Sequence, residues 1–209
     1  MKQKNKGYSF VETVIVIAII VILAGLSLVS VTLINTARAK QASTLFGDEV
    51  KLIKQKNMSM APQLDSAVYT PGTKSSYGLV LHKEDGKFKI TEVECAEEGS
   101  GSTSYFKFVY NSAGSTDVKR VDTASIASAV DVKFSGYYKS FEDGSNNSDA
   151  EYTDYVAGQL DSGSTNSICI LFDKKGNCIS GYGTYSFYKK NGTKVSSVIV
   201  RKNGSIEIR

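Results

Sequence analysis

The chain has 209 residues, of which 41% are hydrophobic and 22% charged, an ordinary composition for a globular protein. Its formal net charge is +4, but three lysines lie among the first six residues, and without them the chain is close to neutral. This balance gives no general reason to expect binding to nucleic acid or to a membrane surface. One histidine and three cysteines, without metal-ligand spacing, give little support to a zinc site.

The amino-terminal segment holds a long apolar run with one acid near its start. No charged residue lies between Glu12 and Arg38, and the run from Thr13 to Ile34 exceeds the roughly 20 residues that span a bilayer core. A secretory signal peptide would have a shorter apolar region followed by a small-residue cleavage site. An ordinary membrane anchor would explain the length of the run, but not the carboxylate of Glu12, which is costly in lipid.

The stretch K-G-Y-S-F-V-E, from Lys6 to Glu12, resembles the class III signal of type IV pilins and the related pseudopilins. The resemblance implies that a prepilin peptidase cuts between Gly7 and Tyr8 and methylates the new amino terminus. Tyr8 departs from the phenylalanine that is more frequent at this position in the family. The lysines of the leader would keep this end of the segment on the cytoplasmic side.

By the same resemblance, residues 1–7 form the leader peptide and residues 8–34 form the hydrophobic transmembrane and assembly helix. Cleavage creates an α-amine one helical turn from Glu12. When subunits stack by their helices, the carboxylate of one subunit pairs with the terminal amine of a neighbour. The acid is then costly in an isolated subunit and satisfied in the assembly, which makes Glu12 the expected assembly residue.

The family resemblance also implies partners and a location. The expected partners are other pilin or pseudopilin subunits, the prepilin peptidase, the inner-membrane assembly platform and, before assembly, membrane lipid. The expected location is the cytoplasmic membrane, crossed once with the amino terminus cytoplasmic and the head extracytoplasmic, and afterwards an extracellular or periplasmic filament.

A second helical segment, residues 35–61, follows the apolar run as an amphipathic stem. Its apolar residues recur at three- and four-residue spacing: Ala39, Ala42, Leu45 or Phe46, Val50 and Ile53. This stripe predicts packing on a head domain. The whole helix is predicted from about Ser9 to Met58, with Pro62 just beyond its end.

Residues 62–209 are predicted to form a β-rich head. Strands are predicted at Tyr77–Lys83, Phe88–Glu94, Ser104–Tyr110 and Ala129–Lys139, and a four-stranded meander at Ser167–Phe172, Ile179–Lys189, Lys194–Arg201 and Ser205–Arg209. The predicted fold class is α+β: a pilin fold, in which a long amino-terminal helix packs on an antiparallel sheet.

The tail resembles the carboxyl-terminal signature of GspH/FimT-type minor pseudopilins. That signature consists of a strand and turn around phenylalanine and glycine, a glycine-containing strand, and a closing hairpin with alternating aliphatic residues. The matching positions are Phe172, Gly176, Gly181, Gly204, Ile206 and Ile208. The resemblance favours a minor subunit over an abundant shaft subunit.

The cysteines leave two alternatives open. Cys169 and Cys178 flank a turn, D-K-K-G-N, in registers that place them diagonally rather than opposite each other, and Cys95 could pair with either. The other alternative is that all three are buried or unpaired thiols.

The loop D-G-S-N-N-S-D-A-E is the only stretch dense in oxygen ligands. Asp143, Asp149 and Glu151 are candidate calcium ligands there, against the alternative of a solvated acidic loop, because the stretch departs from the EF-hand pattern. We expect no other cofactor.

No other motif indicates chemistry. His82 has no nucleophile motif beside it and is expected to be a surface or hydrogen-bonded residue, so the chain is predicted not to be an enzyme. Tyr182, Tyr185, Phe187 and Tyr188 beside two lysines resemble a base-stacking platform. Alternation along a strand, however, puts Tyr185 and Phe187 on one face and Tyr182 and Tyr188 on the other, and one of these faces is expected to be core. A nucleic-acid partner is therefore not expected.

The sequence leaves two candidate functions open. The first is a structural, minor subunit of a type IV pilus or of a type II secretion pseudopilus. The alternative is a binding module at a filament tip, which contacts a surface, a secreted protein or, in a competence pilus, DNA. From Lys189 to Arg209 six basic residues stand against one acid, Glu207, and this segment forms either a solvated face or a partner contact.

Overall fold

The computed structural model describes residues 10–64, 69, 73–98, 105–112, 115, 117–127, 129–138, 150–160 and 167–209. Within them one long helix, α1 (Phe10–Ser59), precedes eleven β-strands that form two antiparallel sheets. The predicted α+β class, a long amino-terminal helix packed on antiparallel strands, is confirmed at that level.

Helix α1 runs for 50 residues, and its bounds agree with the predicted ones to within a residue at each end. The chain has no proline before Pro62, so no ring interrupts the hydrogen-bond ladder. At 1.5 Å per residue the helix is about 75 Å long. The buried positions of its second half include Ala39, Ala42, Phe46, Val50 and Ile53. The predicted stripe is thus confirmed, with Phe46 fully buried and Leu45 partly buried.

The strands follow the helix in chain order. They are β1 (Ser75–Glu84), β2 (Lys87–Glu98), β3 (Tyr105–Phe108), β4 (Arg120–Ser125), β5 (Val130–Tyr138), β6 (Ala150–Tyr155), β7 (Ile168–Phe172), β8 (Cys178–Ser180), β9 (Tyr182–Lys189), β10 (Lys194–Val200) and β11 (Ile206–Ile208).

The first sheet has the order β3-β2-β1-β7-β8, with β4 also paired to β2. Strands β1 and β2 form a hairpin whose two turn residues, Asp85 and Gly86, both have positive φ, 53° and 72°. That is the backbone of a type I′ turn, which an Asp-Gly pair between alternating strands predicts. Strand β1 lies at the centre of the sheet, because β7 pairs with its other edge.

The second sheet has the order β11-β10-β9-β5-β6. Its hairpins turn at Asn191-Gly192 and Asn203-Gly204, and each Gly N–H closes its turn on a backbone carbonyl, of Lys189 or Arg201. Both turns are at the predicted positions.

The prediction of a four-stranded meander in the tail is wrong. Residues 179–189 do not form one strand, because the chain breaks at Gly181 (φ 74°) into β8 of the first sheet and β9 of the second. A Cβ at Gly181 would lie 2.9 Å from the carbonyl oxygen of Cys169, so glycine alone fits this close approach. The tail therefore joins the two sheets.

The core lies between the second half of α1 and both sheets. Phe46 is at its centre, with ring centroids 4.6 Å from Tyr185 and 5.7 Å from Phe187. The hydroxyl of Tyr185 donates to the carbonyl of Gly181 at 2.6 Å, so this buried polar atom is satisfied. Phe134 of β5 also packs on Tyr185, with ring centroids 4.8 Å apart. This packing fixes the second half of the helix to the head.

Candidate assembly helix and its anchorage to the head

The first half of α1 is exposed along its described length. Its described side chains, from Phe10 to Leu26 and from Ser30 to Ile34, are all exposed. By length and composition the helix is able to cross a membrane, and none of its most apolar window is buried. A contiguous apolar surface of this size marks a membrane or protein contact.

Glu12 lies in the first described turn of α1, with its side chain exposed among apolar neighbours. The other two residues of the predicted processing and assembly site, Gly7 and Tyr8, lie outside the described residues. The carboxylate is thus placed on the exposed half of the helix.

Small side chains allow α1 to approach the second sheet closely. The hydroxyls of Ser43 and Ser196, both buried, lie 2.8 Å apart. A Cβ at Gly47 would be 2.6 Å from the Cδ1 of Ile208, so β11 covers the helix backbone at this level. Ile208 is one of the positions of the tail signature, and its place explains why an aliphatic residue suits it.

A buried asparagine fixes the end of α1 to the first sheet. Asn57 donates from Nδ2 to the carbonyl of Tyr77 and accepts at Oδ1 from the N–H of Tyr77, each at 2.7 Å. One side chain thereby satisfies both backbone groups of a residue in β1, a two-point contact that fixes position as well as distance. Asn57 was not among the predicted residues of the stripe, although it continues the buried stripe four residues after Ile53.

An ion pair joins the same turn of α1 to β2. The ammonium of Lys56 lies 2.6 Å from the carboxylate of Glu92, whose side chain is only 4% exposed. Glu49 lies nearby on the helix, and its pKa is raised by burial and by the carboxylates of Asp122 and Glu92. Lys56 is therefore the cation that offsets an otherwise acidic junction between helix and sheet.

Two glycine turns of the tail dock on each other beside α1. Gly176 (φ 82°) lies against the helix, where a Cβ would be 2.8 Å from the Cε of Lys54 and 3.0 Å from the Sδ of Met58. Gly204 (φ 74°) lies on Gly176, and a Cβ there would overlap the Gly176 carbonyl group. The ammonium of Lys54 donates to the carbonyl of Gly204 at 2.8 Å, which ties both turns to the stem.

Asp173 shapes the first of these turns. Its Oδ1 accepts from the N–H of Lys175 and of Asn177 at 2.9 and 2.8 Å, and its Oδ2 accepts from the side chain of Asn177. Burial alone would raise the pKa of Asp173, but these hydrogen bonds outweigh it and hold the pKa below its usual value.

The structure shows the contacts of the six tail positions on which the expected resemblance to minor pseudopilins rests. Phe172 is buried in β7, and Gly181 passes the chain from one sheet to the other. Gly176 and Gly204 form the paired turns, and Ile206 and Ile208 lie on the helix-facing side of β11. The signature residues thus hold the tail, directly or through the sheets, against the stem.

No protein-family model, curated protein or solved structure matches the chain. The assignment of a function therefore rests on the residues and contacts of the chain itself.

The three cysteines are buried free thiols. Cys95 and Cys169 lie on β2 and β7, which pair with opposite edges of β1, and a Cβ at Gly78 would be 3.0 and 2.8 Å from their sulfurs. Cys178 lies opposite Phe172 rather than Cys169, as a diagonal placement requires. Burial raises the pKa of Cys169 and raises the pKa of Cys178 to about 12, so both thiols stay protonated.

The candidate calcium ligands are only partly described. Asp143 and Asp149 lie outside the described residues, while Glu151 is exposed in β6, opposite Tyr137. Among the described residues no group of three or more His, Cys, Asp or Glu side chains is arranged to hold a metal ion. Calcium binding by this loop stays a hypothesis.

His82 is buried in β1, and its Nε2 lies 2.8 Å from the hydroxyl of Thr91. Of the two expectations for it, a surface residue or a hydrogen-bonded one, the second is right.

The aromatic residues of β9 divide between the two faces of the sheet. Tyr185 and Phe187 are fully buried, which confirms that one face is core and shows that it is theirs. Tyr182 and Tyr188 face outward, where Lys202 lies 5.4 Å above the first ring and Lys133 lies 5.3 Å above the second. The four rings therefore do not form one continuous stacking surface.

Proposed function

We propose that the chain is a prepilin-like structural subunit, of the minor kind, in a type IV pilus or a type II secretion pseudopilus. A prepilin peptidase would process it between Gly7 and Tyr8, and the exposed apolar half of α1 would join the filament. This proposal treats the protein as an assembly component with a pilin fold and not as an enzyme.

The observation that supports this function best is the division of a single helix into two halves. The second half is fixed to the head by a buried stripe and by the polar contacts of Ser43, Lys54, Lys56 and Asn57. The described part of the first half presents mostly apolar side chains, with hydroxyls such as that of Ser30, which donates to the carbonyl of Leu26, and Glu12 as its one charged residue. Exposure of such an apolar surface to water is unfavourable. The subunit would therefore bury it in lipid while in the membrane and against neighbouring helices once in a filament.

The charge of Glu12 affects the balance between the subunit in lipid and the subunit in a filament. A lone carboxylate in hydrocarbon costs about 2.5 kcal/mol or more, whereas a carboxylate paired with a neighbour's terminal amine has lost most of that penalty. The charge therefore disfavours the isolated subunit and favours the assembled one.

The tail turns support the assignment as a minor subunit. In the family resemblance this signature belongs to GspH/FimT-type minor pseudopilins, and here its glycines lie against Lys54 and Met58 of the stem. These turns are thus attached at the end of the helix that lies farthest from the apolar half.

Replacement of Glu12 tests the proposal. In cells that produce the cognate filament machinery, the Glu12→Ala variant is expected to reach the membrane fraction at normal levels. Its amount in sheared filaments is expected to fall at least about tenfold, because the missing ion pair is worth about 1.4 kcal/mol or more. Asp48→Ala is the matched control, because it removes an exposed acid from the same helix outside the apolar half. Normal filament levels of Glu12→Ala would refute the assembly role.

The alternative, a binding module at a filament tip, has one observation in its favour. Tyr137 stacks on Tyr182 at 5.4 Å on the outer face of the second sheet, and Tyr137 is 40% exposed. If this pair contacts a partner, Tyr137→Ala would leave filament levels unchanged and abolish binding of the filament to that partner. A gel-shift with DNA in low and in moderate salt tests the nucleic-acid version.

A further inference from the structure

The hairpin between β9 and β10 lies beside the point where the apolar half of α1 ends. Its turn residues Lys189, Lys190 and Asn191 line a cleft of about 290 Å³ together with Thr32 and Asn35 of the helix. The last residue of the apolar run is Ile34, so this turn is level with the boundary between apolar and polar helix surface.

Basic side chains surround this boundary. Arg38 and Lys40 are exposed on α1 just beyond it, and Lys190 and Lys194 are exposed on the hairpin, with Lys189 partly exposed between them. We name Arg38, Lys40, Lys189, Lys190 and Lys194 the basic collar. Asp131, an exposed acid in register with Tyr188, is the nearest acid along β5.

The thickness of a bilayer's polar region decides what the collar meets. The head-group layer adds about 5–8 Å to each side of a 30 Å hydrocarbon core, which corresponds to about three to five residues of helix at 1.5 Å each. If the hydrocarbon ends at Ile34, the head groups surround residues 35 to about 39 of the helix. The hairpin turn beside Asn35 then lies within that layer.

We propose that the basic collar binds the phosphates of anionic phospholipid head groups on the side of the membrane from which the head projects. This inference rests on the membrane insertion of α1 in the proposed function, and it adds a lipid class and a binding surface. The cleft offers two ammonium groups on flexible stems and the side-chain amides of Asn35 and Asn191, all groups that donate hydrogen bonds to phosphate oxygens.

The collar gives the unassembled subunit a second contact with the membrane. The helix alone would leave the whole subunit free to tilt and to rotate in the bilayer, whereas head-group contacts on the hairpin fix one end of β9 and β10 to the bilayer surface. The subunit is then held in a defined orientation until incorporation into a filament withdraws it from lipid.

The chain offers a matched pair of variants to test the collar. Lys189→Gln with Lys190→Gln removes two charges from the collar, and Lys174→Gln with Lys175→Gln removes two charges from another exposed Lys-Lys turn. That second turn lies beside Met58, about 35 Å along the helix from Asn35. Net charge changes equally in both variants, so only position distinguishes them.

The experiment is hydrogen exchange of the full chain in nanodiscs of phosphatidylcholine, with and without phosphatidylglycerol. Residues 186–195 are expected to exchange more slowly when phosphatidylglycerol is present, by roughly fivefold for each engaged lysine. The Lys174/Lys175 variant is expected to keep this protection and the Lys189/Lys190 variant to lose it. High salt is expected to remove it from both the unmodified chain and the control.

Two results would overturn the inference: equal exchange with and without phosphatidylglycerol, or equal loss of protection in both variants. Either result leaves the filament function standing, because every sample is already inserted in a nanodisc. A chain that does not insert would instead refute the membrane step on which both proposals rest.

Discussion

The paired glycine turns of the tail lead to the sharpest prediction about stability. Gly204 and Gly192 both lie in Asn-Gly hairpin turns, with φ of 74° and 80°. They differ in their surroundings, because a Cβ at Gly192 would meet nothing within 4 Å, whereas a Cβ at Gly204 would overlap the Gly176 carbonyl, with its carbon 2.9 Å away. Gly204→Ala and Gly192→Ala therefore share the backbone strain and differ only in the clash.

The magnitudes follow from that difference. Alanine in the left-handed region destabilises the folded state by about 1–2 kcal/mol, and the lower conformational entropy of the unfolded chain offsets about 0.4–1 kcal/mol of this. Gly192→Ala is therefore expected to lower the free energy of unfolding by about 1 kcal/mol. Gly204→Ala must also move a turn, which adds about 1–3 kcal/mol of overpacking. The same movement weakens the hydrogen bond from Lys54 to Gly204, worth about 1 kcal/mol. We expect a total of about 3–5 kcal/mol.

Thermal unfolding of the full chain in detergent measures the difference. Near-ultraviolet circular dichroism reports on the packing of the tyrosines in the head, such as Tyr185 at the core. For a chain of this size, 1 kcal/mol shifts the midpoint by about 2–4 °C, so Gly204→Ala is expected to melt roughly 5–15 °C below Gly192→Ala. Midpoints that agree within about 2 °C would show that the turns at Gly176 and Gly204 are not in steric contact. That result would refute the account of the tail signature.

Further predictions concern the buried polar groups of the stem and the core. Lys56→Met leaves Glu92 buried without its cation and is expected to lower the free energy of unfolding by up to about 3 kcal/mol. Lys51→Met breaks an exposed ion pair with Asp48 and is expected to lower it by less than about 1 kcal/mol. Equal urea midpoints for the two variants would contradict this. Cys178 keeps its proton in the fold because its pKa is about 12 against 9.0 for an unperturbed thiol, so its stabilising contribution is complete below pH 9 and is lost between pH 9 and 12. Urea titrations at pH 8 and 10.5 measure this loss of stability, and Cys178→Ala is expected to make it smaller. Rapid labelling of the native thiols at pH 8 would contradict the burial of Cys178.

Local patterns in the sequence predicted the parts of the fold that local physics decides. The 50-residue helix follows from an apolar run without proline, joined to a stripe at three- and four-residue spacing. The hairpin at Asp85-Gly86 follows from a residue pair that accepts positive φ at both positions.

Two strands and one break between strands were not predicted from the sequence. β4 (Arg120–Ser125) is largely exposed and β6 lies at the end of its sheet, so neither shows the alternation of a half-buried strand. The break at Gly181 was missed because the alternation of residues 179–189 continues through it. Only the approach of the Cys169 carbonyl in the folded chain shows why a glycine is needed there.

Sequence patterns indicated one end of the candidate site and not the other. Glu12 stands out as the only charge in its region, so a local pattern identified it. Lys54, Lys56 and Asn57 contact residues 150, 36 and 20 positions away along the chain. Such contacts depend on the register between helix and sheets, which no local spacing determines.

The most direct test of the proposed function is the mass of the mature amino terminus. The full chain is purified from membranes of cells with a prepilin peptidase and, for comparison, from cells without one. The proposal predicts a first residue of N-methylated Tyr8 and the loss of residues 1–7 in the first sample, with the leader intact in the second. A terminus at Met1 or at any residue other than Tyr8 in the peptidase-containing cells would contradict it.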